Sequence, residues 1–372
     1  MIRWVAVRVV GFLLLCSNAF AEETFAPDYA GAHVVPTLRL PRPPPDVKWS
    51  AQFQQDANIV LAKYGWYLAE LAVLVDESGQ VRETIITESL PSLNLSATMV
   101  DEFRRLKFLV GTGPNGPVGS LTVFRMKYAM EQTIGDLGFI GGRLRTKAAA
   151  GDASAQYTLS RVLLAGNVAI NTSGFDRDDL LQKAADGGNR RAMLALSAVS
   201  RDIPEGNNSP AVLVERRGWL LKSAQAGYGP AQVLVALDAW AEQTAAGHER
   251  ARHWLELATK AKDPVAPKYL AALLVSHSEN PADWKEASKL ASGASREWHG
   301  RKDPDAWQVL AASLAMTGDY AGAVKAQSKA SELAAAVKWP LETIERRLAS
   351  YKDAHTVREE IVLIPVVARV VF

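Results

Sequence analysis

The sequence predicts an α+β module, a small three-stranded antiparallel sheet with a helix, followed by an all-α right-handed solenoid of helix pairs. Three patterns carry that prediction. Between Trp66 and Tyr128, runs with period-two apolar alternation flank one stretch of helical period. Beyond Gly142 the chain becomes alanine-rich and repeats a short phase at steps of 35 to 40 residues. The joint from Gly135 to Gly142 marks the change between the two.

Taken in order, residues 1–21 read as a signal peptide. Arg3 and Arg8 lie early, Val9 to Leu15 is apolar, and Ala19-Phe20-Ala21 offers small residues for cleavage. The apolar run is short for a membrane span. Cys16, the one cysteine, lies inside this segment, and Leu15 before it is not the small residue that lipid attachment takes. Export therefore leaves a chain without disulfides or thiolate metal ligands. Residues 22–50 form a proline-rich linker carrying Pro27, Pro36, Pro41, Pro43, Pro44 and Pro45. The chain has 42 basic and 40 acidic residues; without Arg3 and Arg8, the two charges of the first twenty-one residues, the numbers are equal. A neutral chain has no long-range attraction for nucleic acid or anionic lipid.

Residues 51–134 hold the α+β module. Phe53, Ala57, Val60, Leu61 and Tyr64 place a helix over 51–64. Trp66 to Val75 is a strand with Tyr67, Ala69, Leu71, Val73 and Val75 on one face. Asp76-Glu77-Ser78-Gly79 turns the chain and Val81 to Glu88 returns, a hairpin. Ser96 caps a helix with Met99, Phe103 and Leu106 on one stripe. The loop from Gly111 to Gly119 leads to a closing strand, Ser120 to Tyr128. These residues resemble the C-terminal domain of TonB-type energy transducers, on the turn Val75-Asp76-Glu77-Ser78-Gly79-Gln80-Val81, the helix end Phe103-Arg104-Arg105-Leu106-Lys107-Phe108 and the lead Gly116-Pro117-Val118. The family's proline after the helix-terminal aromatic is replaced here, since Leu109 and Val110 follow Phe108. The linker is also shorter than the periplasm-crossing reach of that family.

The solenoid is expected over 146–356. Its phase reads Gly151-Asp152-x-x-Ala155, Gly188-Asn189-x-x-Ala192, Gly227-Tyr228-x-x-Ala231, Lys262-Asp263-x-x-Ala266 and Lys302-Asp303-x-x-Ala306. A left-handed Gly ends one helix, Asp or Asn caps the next, and the alanine permits close helix contact. Leu159, Leu196, Val235, Leu270 and Leu310 stand four residues after each alanine, one turn above it. The phase is similar to the Sel-one-like branch of tetratricopeptide repeats, most clearly at Ala184-Ala185-Asp186-Gly187-Gly188 and Ser223-Ala224-Gln225-Ala226-Gly227. Asp305 to Leu333 resembles an ordinary tetratricopeptide unit, with Gln327 and Ala335 where an aromatic and a proline are usual. Leu341 to Tyr351 suits a capping helix. The tail, 357–372, is apolar and strand-forming after Ile361, and Pro365 restricts it to the edge of a sheet, either folded back on this protein or docked on a partner or membrane.

No catalytic set stands out. His248 and His253 are five residues apart, about 140° around a helix, which serves one zinc ion poorly. The Gly111 to Gly116 loop lacks a Gly-Lys-Ser/Thr ending, and no Gly-x-Ser-x-Gly elbow occurs. The chain is thus expected to be non-enzymatic, without cofactor, metal, nucleic acid or small-molecule substrate. What remains are surfaces. Arg104, Arg105 and Lys107 read as a solvated helix face, or as the match to an acidic partner. Trp219 and Trp254 share the repeat phase and should pack, whereas Trp240, Trp284 and Trp298 fit it less well and are candidates for a peptide groove. The TonB resemblance implies strand addition at the edge of the closing strand, with Ser120, Thr122, Phe124, Met126 and Tyr128 as the partner-binding set. The combined expectation is an exported, periplasmic adaptor binding proteins or peptides, such as an envelope or outer-membrane protein, through a sheet edge and the concave face of the repeats. The alternative is a TonB-family transducer or accessory protein for transmembrane transport, held in the inner membrane by an uncleaved N-terminus.

Overall fold

The computed structural model describes residues 44, 47–64, 66–90, 96–113, 116–129, 136–165, 173–198 and 210–362. The signal segment, most of the linker and residues 363–372 of the tail lie outside the described residues.

Helix α1, Ala51–Tyr64, precedes the hairpin of β1, Trp66–Val75, and β2, Val81–Leu90. Helix α2, Ser96–Arg105, follows, then a two-stranded ribbon of β3, Gly111–Gly113, and β4, Gly116–Val118, and finally β5, Ser120–Ala129. The sheet order is β2-β1-β5, all antiparallel. The ribbon forms inside what the sequence reads as a plain loop, because Gly113 and Gly116 let the chain double back.

The hairpin turn works through Asp76. Its Oδ1 accepts from the backbone N–H groups of Ser78 and Gln80, both at 2.9 Å, and from the Ser78 hydroxyl at 2.7 Å. Gly79 takes φ +86°, and a Cβ there would stand 2.3 Å from the Phe108 carbonyl oxygen. Only glycine fits. The Gly79 carbonyl accepts from Phe108 N–H at 2.7 Å, which ties the exit of α2 to the hairpin. Phe108 is buried and Leu109, standing where the family proline would be, is 58 % exposed.

β1 is apolar on both faces because both are covered. Ala69, Leu71, Val73 and Val75 pack with Phe53, Ala57 and Val60 of α1 and Met99 and Phe103 of α2. On the opposite face Ala72 and Leu74, with Ile85 and Leu121, join the core of the helical repeats. A strand buried on both sides reads as a continuous hydrophobic run rather than an alternating one.

The helical part comprises α3, Asp136–Ala149; α4, Ala153–Ala165; α5, Arg177–Asp186; α6, Arg190–Ala198; α7, Pro210–Gln225; α8, Gly229–Trp240; α9, Ala245–Lys260; α10, Ala266–His277; α11, Pro281–Ala294; α12, Pro304–Met316; α13, Tyr320–Ala336; and α14, Glu342–Lys352. They stack as helix pairs. The joint expected from Gly135 to Gly142 is a helix from Asp136 onward, so the first pair begins ten residues before the expected start. Leu144 and Ala148 bury against α4 and outweigh the poor helix propensity of its glycines.

The turn phase works as its residues require. Gly151, Gly188, Gly227 and Gly318 have positive φ, and Lys262 takes the same conformation at φ 60°. Asp152, Asn189, Asp263 and Asp303 each accept a backbone N–H from the first turn of the next helix. Ala155, Ala192, Ala231, Ala266 and Ala306 are all buried. Gln327, in the usual aromatic position, is buried and donates to Ile344 O at 2.9 Å, holding the capping helix α14.

Leu74 lies on the face shared with the repeats, so Leu74→Ala should cost about 2–5 kcal/mol in urea unfolding. Ile59, 57 % exposed on α1, is the control. Ile59→Ala should stay within about 0.5 kcal/mol.

Candidate partner-binding surface

The sheet carries three buried carboxylates toward the repeats: Glu70 on β1 and Glu83 and Glu88 on β2. Glu70 and Glu88 are directly opposite in the β1–β2 register, a repulsive arrangement unless cations stand beside it. The repeats supply them. Arg161 of α4 lies 3.5 Å from Glu70, which also takes Arg125 of β5 at 2.6 Å. Glu88 is bound by Arg191 of α6 and by the Tyr157 hydroxyl of α4. Burial, with Glu88 alongside, raises the Tyr157 pKa well above its ordinary value, so the phenol stays a donor.

Glu83 meets Lys268 of α10, whose ammonium also contacts Asp303 at 2.7 Å. Burial alone would raise the Glu83 pKa; Lys268, His299 and Arg104 outweigh it and hold the carboxyl far below the usual range. Burial likewise opposes the charge on Lys268, and Asp303 and Glu83 overcome it, raising that pKa. His299 Nε2 donates to Thr84 O at 3.2 Å. Arg104, expected on a solvated face, is 1 % exposed; it donates to His299 O at 2.8 Å and lies 3.6 Å from Asp303. Its acidic partner is the chain's own solenoid. Arg105, in contrast, stays exposed.

Two bulges in β2 leave Arg82 and Thr87 outside the residue-to-residue register with β1, although the Thr87 hydroxyl still donates to Glu70 O at 3.0 Å. A bulge re-aims its residue. Arg82 reaches Asp305 of α12 at 2.8 and 3.0 Å and lies 4.3 Å over the Trp339 ring, while Thr87 O accepts from Tyr228 OH at 2.7 Å. Glu83 and Glu88 also turn back to accept the N–H groups of Thr84 and Ser89 at 2.7 Å. The outer edge of β2 is thereby capped. Among the described residues, no strand pairs with the outer edge of β5.

The expected concave groove is therefore not open, because the sheet fills it. Of the predicted edge residues, Ser120, Thr122 and Met126 are buried, and Phe124 packs edge-on to Phe103 with ring centres 5.0 Å apart. They share the face covered by α1 and α2, so these side chains are taken up inside the module. Tyr128 pairs Tyr67 through the backbone register. Trp240 is wholly buried, its Nε1 donating to Glu360 at 3.1 Å, so it is a packing residue and not a groove anchor. Trp284 is half-buried and donates to Ser278 O at 3.0 Å. Trp298 is 38 % exposed, and the structure brings the three tryptophans into no common groove.

Glu83, His299 and Asp303 bring ligand-type atoms within 4.8 Å of one another, a trio the sequence did not single out. Lys268 bridges Glu83 and Asp303, and Arg104 adds a second cation 3.6 Å from Asp303, so the donor set fits an ion-pair network and not a metal ion. His248 stacks on His277, ring centres 3.7 Å apart, while His253 lies beside Trp254, consistent with their separation around α9. Among the described residues no helix is long and apolar enough to cross a membrane.

No family model matches the sequence, and a search of curated proteins returns no match. Among solved structures, the chain is similar to a protective antigen present in uropathogenic Escherichia coli strains and displaying an SLR fold, at 21 % identity and a TM-score of 0.40. The alignment covers 59 % of this chain and 45 % of that one, so the chain spans under half of its length.

Lys268→Met strips the cation from a buried network and should cost about 3–5 kcal/mol of stability. Glu83→Gln should destabilise at neutral pH, with a loss that shrinks as pH falls below about 4.3. The sign follows from the depressed Glu83 pKa: its ionised form stabilises the fold above the unfolded value, and that contribution fades on acidification. Asp305, whose pKa burial raises despite Arg82, contributes in the opposite sense. Denaturation of both proteins from pH 7 to pH 3 measures the difference.

Proposed function

We propose that this chain is a non-enzymatic, exported adaptor that receives an extended peptide of a protein partner at the outer edge of β5. The observation that carries the reading is the asymmetry of the sheet. β2 has its edge occupied by side chains of the repeats, whereas β5 presents backbone donors and acceptors unpaired among the described residues. Such an edge is a ready template for strand addition, in which main-chain hydrogen bonds supply the affinity. The α+β module is read as TonB C-terminal-like on its turn, helix end and closing strand, and an envelope protein is the partner class that this resemblance implies. The helix pairs, read as Sel-one-like, hold the module rigid and add an outer surface on which Trp298 is exposed.

Ten-residue peptides selected by phage display on the purified protein provide the test. A selected peptide should slow amide hydrogen exchange over Ser120 to Ala129. Protection confined to the outer helices would overturn the reading of β5. Sequencing of the exported protein addresses its location: a start at Glu22 is expected, and retention of residues 1–21 would favour the anchored transducer instead.

A further inference from the structure

The contact that buries Arg104 also gathers a set of charges on the surface beside it. Arg104, at the end of α2, donates to His299 O in the segment between α11 and α12. On one flank of this contact stands Arg105, which is exposed. On the other stands Trp298, exposed and next to His299, with ring centres 5.4 Å apart. Lys302 reaches back across the same joint to Asp101, one turn before Arg105 on α2, and keeps its side chain exposed. The Arg301 N–H donates to Glu297 O at 2.8 Å and closes the segment into a turn, which keeps Trp298 close to Arg301 and Lys302.

The acids of this region are taken up inside it, whereas the cations are not. Glu102 is buried and accepts from Ser50 N–H at 3.1 Å and from Arg105 at 3.4 Å. Asp101 is held by Lys302 and lies 3.6 Å from Arg104. Lys48, two residues before Ser50, is exposed, as are Lys107 and Arg301, and no carboxylate among the described residues lies within ion-pair distance of these three. Arg296 and Glu297, both exposed, offset each other. An ordinary solvated face pairs its charges along the helix, as Lys183 does with Asp179 on α5 and Lys329 with Glu332 on α13. Here Lys48, Arg105, Lys107, Arg301 and Lys302 leave a basic excess that comes from separate elements and stands beside one aromatic ring.

We propose that this surface binds an acidic segment of a protein, with carboxylates on Arg105, Arg301 and the lysines and an apolar side chain against Trp298. Arginine presents a planar fork that matches a carboxylate in two hydrogen bonds, and a tryptophan ring supplies the apolar anchor of an interface. Most of Trp298 is covered, so it offers a face to pack against and not a wedge to insert, which favours a peptide over a lipid surface. The near-neutral balance of the whole chain gives no long-range pull toward anionic lipid or nucleic acid, so attraction is confined to this patch. α2 packs on β2, and β5 is the opposite edge of the sheet. The patch is therefore independent of strand addition at β5, and both surfaces can be filled at once.

The test is fluorescence anisotropy with the full-length protein and a labelled peptide of alternating glutamate and leucine. This peptide should bind at low salt and weaken at about 0.5 M salt, where charges are screened, while its lysine counterpart should not bind. Arg105→Gln with Arg301→Gln should weaken binding about tenfold. Trp298→Ala should weaken it about threefold or more. Lys48→Gln repeats the test from another element, and Lys147→Gln, exposed on α3 at the far end of the repeats, should leave the affinity unchanged. All five positions are exposed, so an unchanged melting temperature identifies the folded variants. Equal binding by every variant, or none by the unaltered protein, overturns the proposal. Co-sedimentation with phosphatidylglycerol vesicles that the double variant abolishes assigns the patch to a lipid surface and overturns it as well. Slowed amide exchange at Ser120 to Ala129, with none at α2 or residues 296–302, counts against the patch and leaves the reading of β5 standing.

Discussion

Lys268 holds the two halves of this protein together from a buried position. Its ammonium lies between Glu83 of the sheet and Asp303 of the repeats. Bringing a carboxylate out of water costs several kcal/mol, and the cost is met only with a cation and hydrogen bonds in place. Glu70, Glu83 and Glu88 create that demand three times along one face of the sheet, and Arg161, Arg191 and Lys268 answer it from three inner helices, α4, α6 and α10. A shift of the sheet by one repeat would misalign every pair. The charges therefore set the register of docking, while the apolar contacts of Leu74, Ile85 and Leu121 supply the bulk of the attraction.

This docking redefines what each half has to offer. A solenoid of helix pairs ordinarily presents a concave surface to a partner. Here that surface is covered by the chain's own sheet. The sheet has in turn both faces covered, one by α1 and α2 and one by the repeats. Its remaining freedom is in the plane of its hydrogen bonds, so the proposed recognition at β5 would depend on backbone geometry more than on side-chain identity.

The elements were legible and their assembly was not. The hairpin follows from Asp76 and Gly79, because that turn needs a side-chain acceptor and a positive φ. The helix pairs follow from a glycine, a capping residue and an alanine in fixed phase. The docking cations share no such phase: Arg161 stands six residues after its repeat alanine, Arg191 one before, and Lys268 two after. An alignment of repeats scatters them. The available signal was their setting, since Lys268 lies in the apolar run of α10 and Glu70 interrupts that of β1. Arg104 shows the same difficulty, for a charge on an amphipathic helix announces no partner until the facing surface is known.

The bulges of β2 connect docking to binding. An exposed strand edge invites pairing with any other chain. At Arg82 and Thr87 the ladder is interrupted, and the displaced residues are taken up by Asp305 and Tyr228. Glu83 and Glu88 close the adjacent N–H groups of Thr84 and Ser89 while serving the ion pairs. The same carboxylates that fix the sheet in the solenoid thus remove one of its two edges from circulation. β5 has a regular, unbulged ladder with β1 over its whole length, and a regular strand keeps its outer groups evenly spaced for a further strand. In the proposed adaptor, strand addition would be confined to one side of the sheet because the other side is part of the protein's own interior.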